Sequence, residues 1–275
     1  VDVDHRRDGA ARRAARIRQP RGREDRIGCD GAVTPSNHPR MFEAGTHMTK
    51  RIVVTGASSG IGRAIAARLL DDGHVVVGLS RTEPDLNHDR FHHERADLAD
   101  LDSIGPLARQ LGAVDGFVHS AGFMKTARLG ELDAASGEAM WRIHVGAASA
   151  LADALVPAMR DGGRIVLIGS RTSGGAAGRS QYAAAKAAVV GMARSWAIEL
   201  APRGITVNVV SPAATETPML KDPARTSSAP VMPPIGRYIR TEEVAALVAF
   251  LIGPDAGAIT GQQIMVCGGS SLAHA

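Results

Sequence analysis

The chain is poor in cysteine and in aromatic side chains, and it has no apolar run long enough to cross a bilayer. Two cysteines among 275 residues, Cys29 and Cys267, lie far apart. They make neither a disulfide framework nor a metal-like spacing, so the simplest home is a reducing cytoplasm. A membrane span would need about 20 consecutive apolar residues, and none occurs. Aromatics make up 3% of the residues, too few to suggest a stacking surface for any particular ligand. No internal repeat is present. The apolar content suits a soluble globule, and the length could hold one large α/β domain or two small ones.

The net charge of +4 is unevenly distributed. Residues 1–47 carry ten Arg against seven Asp or Glu, whereas residues 48–275 have 22 Lys plus Arg against 21 acids. The first segment lacks apolar periodicity and reads as a disordered or non-native extension, translated from too early a start. A nucleic-acid-binding arm is a competing reading, but the interspersed acids weaken the field it would need. A targeting peptide is a third, disfavoured by the frequent acids and the missing apolar core.

From Met48 onward one regime continues to the last residue, read as a single domain over 48–275. Short β-branched runs are expected as strands at Arg51–Thr55, His74–Leu79, Ala113–His119, Arg164–Gly169, Ile205–Val210 and Gln263–Val266, with a weaker one at Phe91–Arg95. Helical apolar spacing separates them at Ile61–Leu70, Leu101–Leu111, Glu138–Met159, Tyr182–Leu200 and Glu242–Leu251. Alternating elements with nearly continuous apolar strands predict an α/β fold, a doubly wound parallel sheet with helices on both faces. Gly73 and Gly204 are placed as left-handed helix caps. The irregular stretch Glu216–Gly236 holds five prolines and reads as a substrate flap.

Directly after the first strand stands Thr55-Gly56-Ala57-Ser58-Ser59-Gly60-Ile61-Gly62. Glycines at 56, 60 and 62 permit a tight turn and leave backbone N–H groups open at a helix start, where a pyrophosphate can sit. The candidate contacts are Gly56, Ser58, Ser59, Gly60, Ile61 and Gly62. No acid closes the second strand. Instead Ser80 and Arg81 offer a hydroxyl and a guanidinium, which favours NADP(H) over NAD(H), because a carboxylate there would repel a 2′-phosphate. Arg81 as an ordinary surface charge is the competing reading. Asp97, followed by Leu98, suits either an adenine amino group or a helix N-cap.

Tyr182 and Lys186 are four apart on a helical segment and share one face. A free phenol has a pKa of about 10, and a neighbouring ammonium favours its ionised form. Tyr182 could then pass a proton to or from a carbonyl/alcohol oxygen. On spacing alone such a pair is usually a surface contact. Ser170 strengthens the case: it closes the run Arg164–Gly169 at a strand's carboxyl end, where its hydroxyl could stabilise the same oxygen. Ser173 is a competitor farther out in the loop.

These motifs, with His119-Ser120-Ala121-Gly122, Ile205 to Pro212, and Ile259-Thr260-Gly261-Gln262 leading to Gly268-Gly269, resemble the short-chain dehydrogenase/reductase family in its compact single-domain form. The chain is most similar to its 3-oxoacyl-[acyl-carrier-protein] reductase type. The resemblance runs from about Met48 to the end. It implies a sheet of about seven parallel strands and a homo-oligomer, tetramer or dimer. It also implies an NADP(H)-dependent enzyme acting on a small carbonyl/alcohol substrate, with neither nucleic acid nor membrane as partner. Tyr182 would be the acid/base, and Lys186 would tune it and hold the nicotinamide ribose. Ser170 would orient the substrate oxygen, and Thr217 with the backbone near Thr215 would hold the carboxamide. Ala121, Gly122 and Pro212 would be further cofactor contacts. Phe123, Met124 and Lys125 are expected to line the pocket.

Some positions depart from the family pattern. His144 stands where an asparagine usually supports a proton-relay water. A neutral imidazole that titrates near neutrality could do the same, or His144 could simply pack and bond a backbone group. Ala213 replaces a glycine, Cys267 replaces an acid, and the Ser170–Tyr182 spacing is one residue short.

Overall fold

The computed structural model describes residues 48–221 and 228–272; the expectations for residues 1–47, Cys29 among them, lie outside the described residues. Strand β1 (Arg51–Thr55) runs into helix α1 (Gly60–Asp71), followed by β2 (Val75–Ser80), β3 (Phe91–Arg95), α2 (Leu101–Leu111) and β4 (Val114–His119). Then come α3 (Ala134–Trp141), α4 (Ala147–Leu155), β5 (Met159–Ile168), α5 (Ser180–Leu200), β6 (Thr206–Pro212), α6 (Thr241–Ile252) and β7 (Gln263–Val266). The strands form one parallel sheet in the order β3-β2-β1-β4-β5-β6-β7.

The strands are apolar on both sides because both sides are covered. Val53, Phe117, Ile165, Val207 and Val209 pack with α2, α4 and α5 on one face. Ile52, Val54, Val118, Val166 and Val210 pack with α1 and α6 on the other. The chain order reverses between β1 and β4, and the crevice at the strands' carboxyl ends beside such a reversal is where open α/β sheets bind ligands. Register brings those ends level: Thr55 lies opposite Leu79 and His119, and Ile168 opposite Val210. Gly73 and Gly204 have positive φ, as caps require.

One expected helix is divided. The segment 138–159 holds the end of α3, a π turn at Arg142–Gly146, and α4, and a short 3-10 turn at Val156–Ala158 ends it. Pro157 lacks the N–H that a continuing helix would need. Met159 already belongs to β5, which starts five residues earlier than the apolar run suggests and shifts register against β4 between Val114 and Gly116.

Candidate active site

The β1–α1 turn is shaped by close approach. Gly56 has φ +68°, and a Cβ there would stand 2.9 Å from the backbone of Ala121; one on Gly62 would lie 2.2 Å from the Gly56 carbonyl oxygen. Larger residues would push the turn off the sheet. Ser59, the N-cap of α1, makes no side-chain cap bond, and the helix has no acid in its first turn. Its leading N–H groups are therefore open to an anion. Ser58, Ser59, Gly60, Ile61 and Gly62 line a cavity of about 1120 Å³.

Thr55 locks this turn to β4. Its Oγ1 accepts the N–H groups of Ser120 and Ala121, both at 3.0 Å, and lies 3.1 Å from His119 Nδ1. With both lone pairs engaged, the hydroxyl proton goes to Nδ1. That leaves Nε2–H of His119 to donate to the Ile143 carbonyl at 3.1 Å. Burial above all, then the Lys186 charge, lowers the His119 pKa to about 3. Neither Thr55 nor His119 was singled out from sequence as a site residue. The polar pair facing each other at the ends of two apolar strands was the available signal.

The expected cofactor-discriminating pair is changed in one respect. Ser80 lines the cavity, but its Oγ–H donates to the Thr82 carbonyl at 2.8 Å, and His93 Nε2 lies 3.1 Å from Ser80 Oγ. Its proton is taken by the local turn, so of the two only exposed Arg81 keeps donors for an anion. Asp97 and buried Leu98 also line the cavity. Asp97 is not the N-cap of α2, a place held by Asp100; its carboxylate accepts from Ala99 N at 3.0 Å.

At the other end of the cavity β5, α5 and the π turn converge. Ser170 follows β5, is buried, and caps a 3-10 turn: its Oγ accepts from Thr172 N at 3.1 Å and lies 2.8 Å from Thr172 Oγ1. Tyr182 and Lys186 are buried one turn apart on α5, with Nζ 5.8 Å from the phenol ring centroid. Nζ donates to the Ile168 carbonyl at 2.7 Å, and burial lowers the Lys186 pKa to about 7.

His144 sits edge-on to Tyr182, ring centroids 5.4 Å apart. Its Nε2–H donates to the Phe123 carbonyl at 2.8 Å, and the buried Nδ1 has no partner. The expectation that it titrates near neutrality fails. Desolvation first, then the Lys186 charge, holds its pKa well below the usual imidazole value.

The remaining expected residues mostly join the same cavity: Ala121, Gly122, Phe123, Met124, Pro212, Ala213, Thr215 and Thr217 line it. Thr215 Oγ1 donates to the Ala213 carbonyl at 3.0 Å, and Thr217 Oγ1 donates to the Thr215 carbonyl at 3.3 Å. From the flap, Pro218, Met219, Leu220 and residues 228–232 line it too. One expectation fails: Lys125 is exposed and outside the cavity lining. Ser173, the less well placed competitor of Ser170, accepts from Gln263 Nε2 at 2.9 Å and is outside the lining. Among the described residues no cluster of His, Cys, Asp and Glu could hold a metal, and no helix is long and apolar enough to cross a membrane.

Comparison with known proteins places this geometry among relatives. A family model described as enoyl-(acyl carrier protein) reductase matches residues 56–271. The 3-oxoacyl-[acyl-carrier-protein] reductase FabG of Vibrio cholerae is 35% identical over 236 residues, covering 80% of this chain and 96% of that protein. The cyclic-di-GMP-binding biofilm dispersal mediator protein of Escherichia coli is 34% identical over 226 residues, covering 79% and 95%. A solved structure of an actinorhodin polyketide ketoreductase variant with NADPH superposes with a TM-score of 0.73 at 30% identity, covering 82% of this chain and 98% of that one.

Proposed function

Because the chain belongs to the short-chain dehydrogenase/reductase family, we propose that it is an NADP(H)-dependent oxidoreductase interconverting a ketone or aldehyde with its alcohol, with Tyr182 as acid/base. The observation that carries the reading is the convergence of Ser170, Tyr182 and Lys186 on one cavity whose other end is the uncapped N-terminus of α1.

The residues fit a phosphorylated dinucleotide. The Cβ-free turn at Gly56 and the open N–H groups at Ser59–Gly62 suit a pyrophosphate, and Arg81 suits a 2′-phosphate. Thr215 and Thr217, which line the same cavity, would hold the carboxamide. A bound nicotinamide supplies or accepts the hydride. Everything else falls to the chain's own side chains. Ser170 Oγ orients the reacting oxygen and stabilises charge on it. Tyr182 Oη gives that oxygen a proton in reduction and takes it back in oxidation. Lys186 with its proton held near the phenol favours phenolate, which brings the acid's affinity toward the working pH. His144, neutral, fixes the ring of Tyr182 and offers Nδ1 as an acceptor. The NADPH-bound ketoreductase relative supports the cofactor choice.

We further place the enzyme in the cytoplasm as a homo-oligomer, tetramer or dimer, with catalysis confined to residues 48–275. A second reading, a nucleotide-binding sensor of the same fold with little catalysis, draws on the relative named for cyclic-di-GMP binding. The intact Ser170, Tyr182 and Lys186 weigh against it. NADPH consumption by the full chain against a panel of ketones, compared with Tyr182→Phe, separates the two.

A further inference from the structure

Next to the reacting groups the cavity wall changes character. Met124, Met140 and Tyr182 form a small apolar cluster apart from the two sheet-face cores, with Phe123 and Met219 packed against it. From the flap, Val231 and Met232 line the same cavity while remaining 75% and 50% exposed. Large apolar side chains left open to water inside a concave site gain by being covered, and methionine walls adapt to ligands of varied shape. Two of the nearby cations are already engaged. Arg179 donates to Ser228 Oγ at 2.6 Å and to the carbonyls of Ser228 and Ala229 at 3.3 Å, and Arg142 pairs with Glu138 at 3.4 Å.

From this wall we infer the substrate class: an uncharged ketone or aldehyde, or the matching alcohol, whose carbonyl carries an extended apolar substituent that lies against Phe123, Met124, Met219, Val231 and Met232. The inference rests on the hydride-transfer reading above and deepens it. An anionic substrate is the competing class, because Arg171 also lines the cavity and its buried Nε has no partner.

The test is a series of methyl ketones from butanone to a decanone, with the decanone bearing a terminal carboxylate as the charged comparison. kcat/KM with NADPH should rise about fourfold for each added methylene until the wall is covered. The carboxylate analogue should fall at least tenfold below the decanone. Met232→Gln, at a half-exposed position, should lower kcat/KM for the decanone several-fold more than for butanone. A flat series, or preference for the carboxylate, overturns the inference. Equilibrium binding of the same ketones to the full chain, with and without NADP⁺, reads the wall without turnover. Affinity that climbs with chain length but no reduction would uphold the apolar wall and overturn hydride transfer. Absence of binding by every ketone would overturn the inference itself.

Discussion

Gly122 and His144 fit so closely that a Cβ at position 122 would stand 2.1 Å from the imidazole Cε1 and 2.6 Å from Nδ1. The glycine is what lets a ring occupy the π turn's inner face, reach the Phe123 carbonyl and sit edge-on to Tyr182. Gly122→Ala should therefore displace His144 and, through it, the phenol. We expect a loss of about 1–3 kcal/mol of stability from overpacking, read by denaturant unfolding, together with a fall in kcat.

His144 itself is predicted to act by position and not by carrying a proton. His144→Asn keeps a side-chain donor for the Phe123 carbonyl and should retain kcat within a few-fold. His144→Ala leaves that carbonyl unsatisfied, at about 1–3 kcal/mol, and should lose more than tenfold. The pH profile should not lose a limb in either variant. A limb that disappears with the imidazole would assign it a titrating role.

Two buried bases give stability two pH windows. Lys186 has its pKa lowered from 10.5 to about 7. Between those values the unfolded chain binds the extra proton, so stability rises with pH from about 7 to 10.5, by at most about 1.4 kcal/mol per pH unit for this group. Lys186→Met should flatten that rise. His119, lowered from 6.5 to about 3, acts in a separate window: its contribution is full above 6.5 and is lost as pH falls toward 3. Unfolding free energies across pH in wild type, Lys186→Met and His119→Gln check both.

Cofactor choice is assigned to Arg81 without help from the Ser80 proton. Arg81→Ala should weaken NADPH binding about tenfold, the loss of one partly solvated charge-assisted contact, and leave NADH binding unchanged. Ser80→Ala should change the NADPH/NADH ratio much less. Titration of each nucleotide with each variant measures this.

Much of this was legible in the sequence for a physical reason. Strands covered on both faces must be apolar throughout, so a run such as Arg51–Thr55 stands out and keeps its bounds. The glycine turn and the Tyr182–Lys186 pair are local patterns, and the fold brings them to one cavity. What was hidden depends on tertiary partners. The Ile143 carbonyl, inside the π turn at Arg142–Gly146, accepts from His119, 24 residues away, and helical periodicity carries no mark of that bond. The Ser80 hydroxyl looks available until its turn is built. His144 looks like a neutral-pH titrator until its burial is known.

The measurement that tests the central claim most directly is NADPH oxidation by the full chain with an apolar ketone, run beside Tyr182→Phe and with NADPH binding measured for both. Removing the phenolic proton should lower kcat about 10²–10⁴-fold while nucleotide affinity stays within a few-fold of wild type. Near-full turnover by Tyr182→Phe, or no turnover by a wild-type chain that binds NADPH, would contradict it.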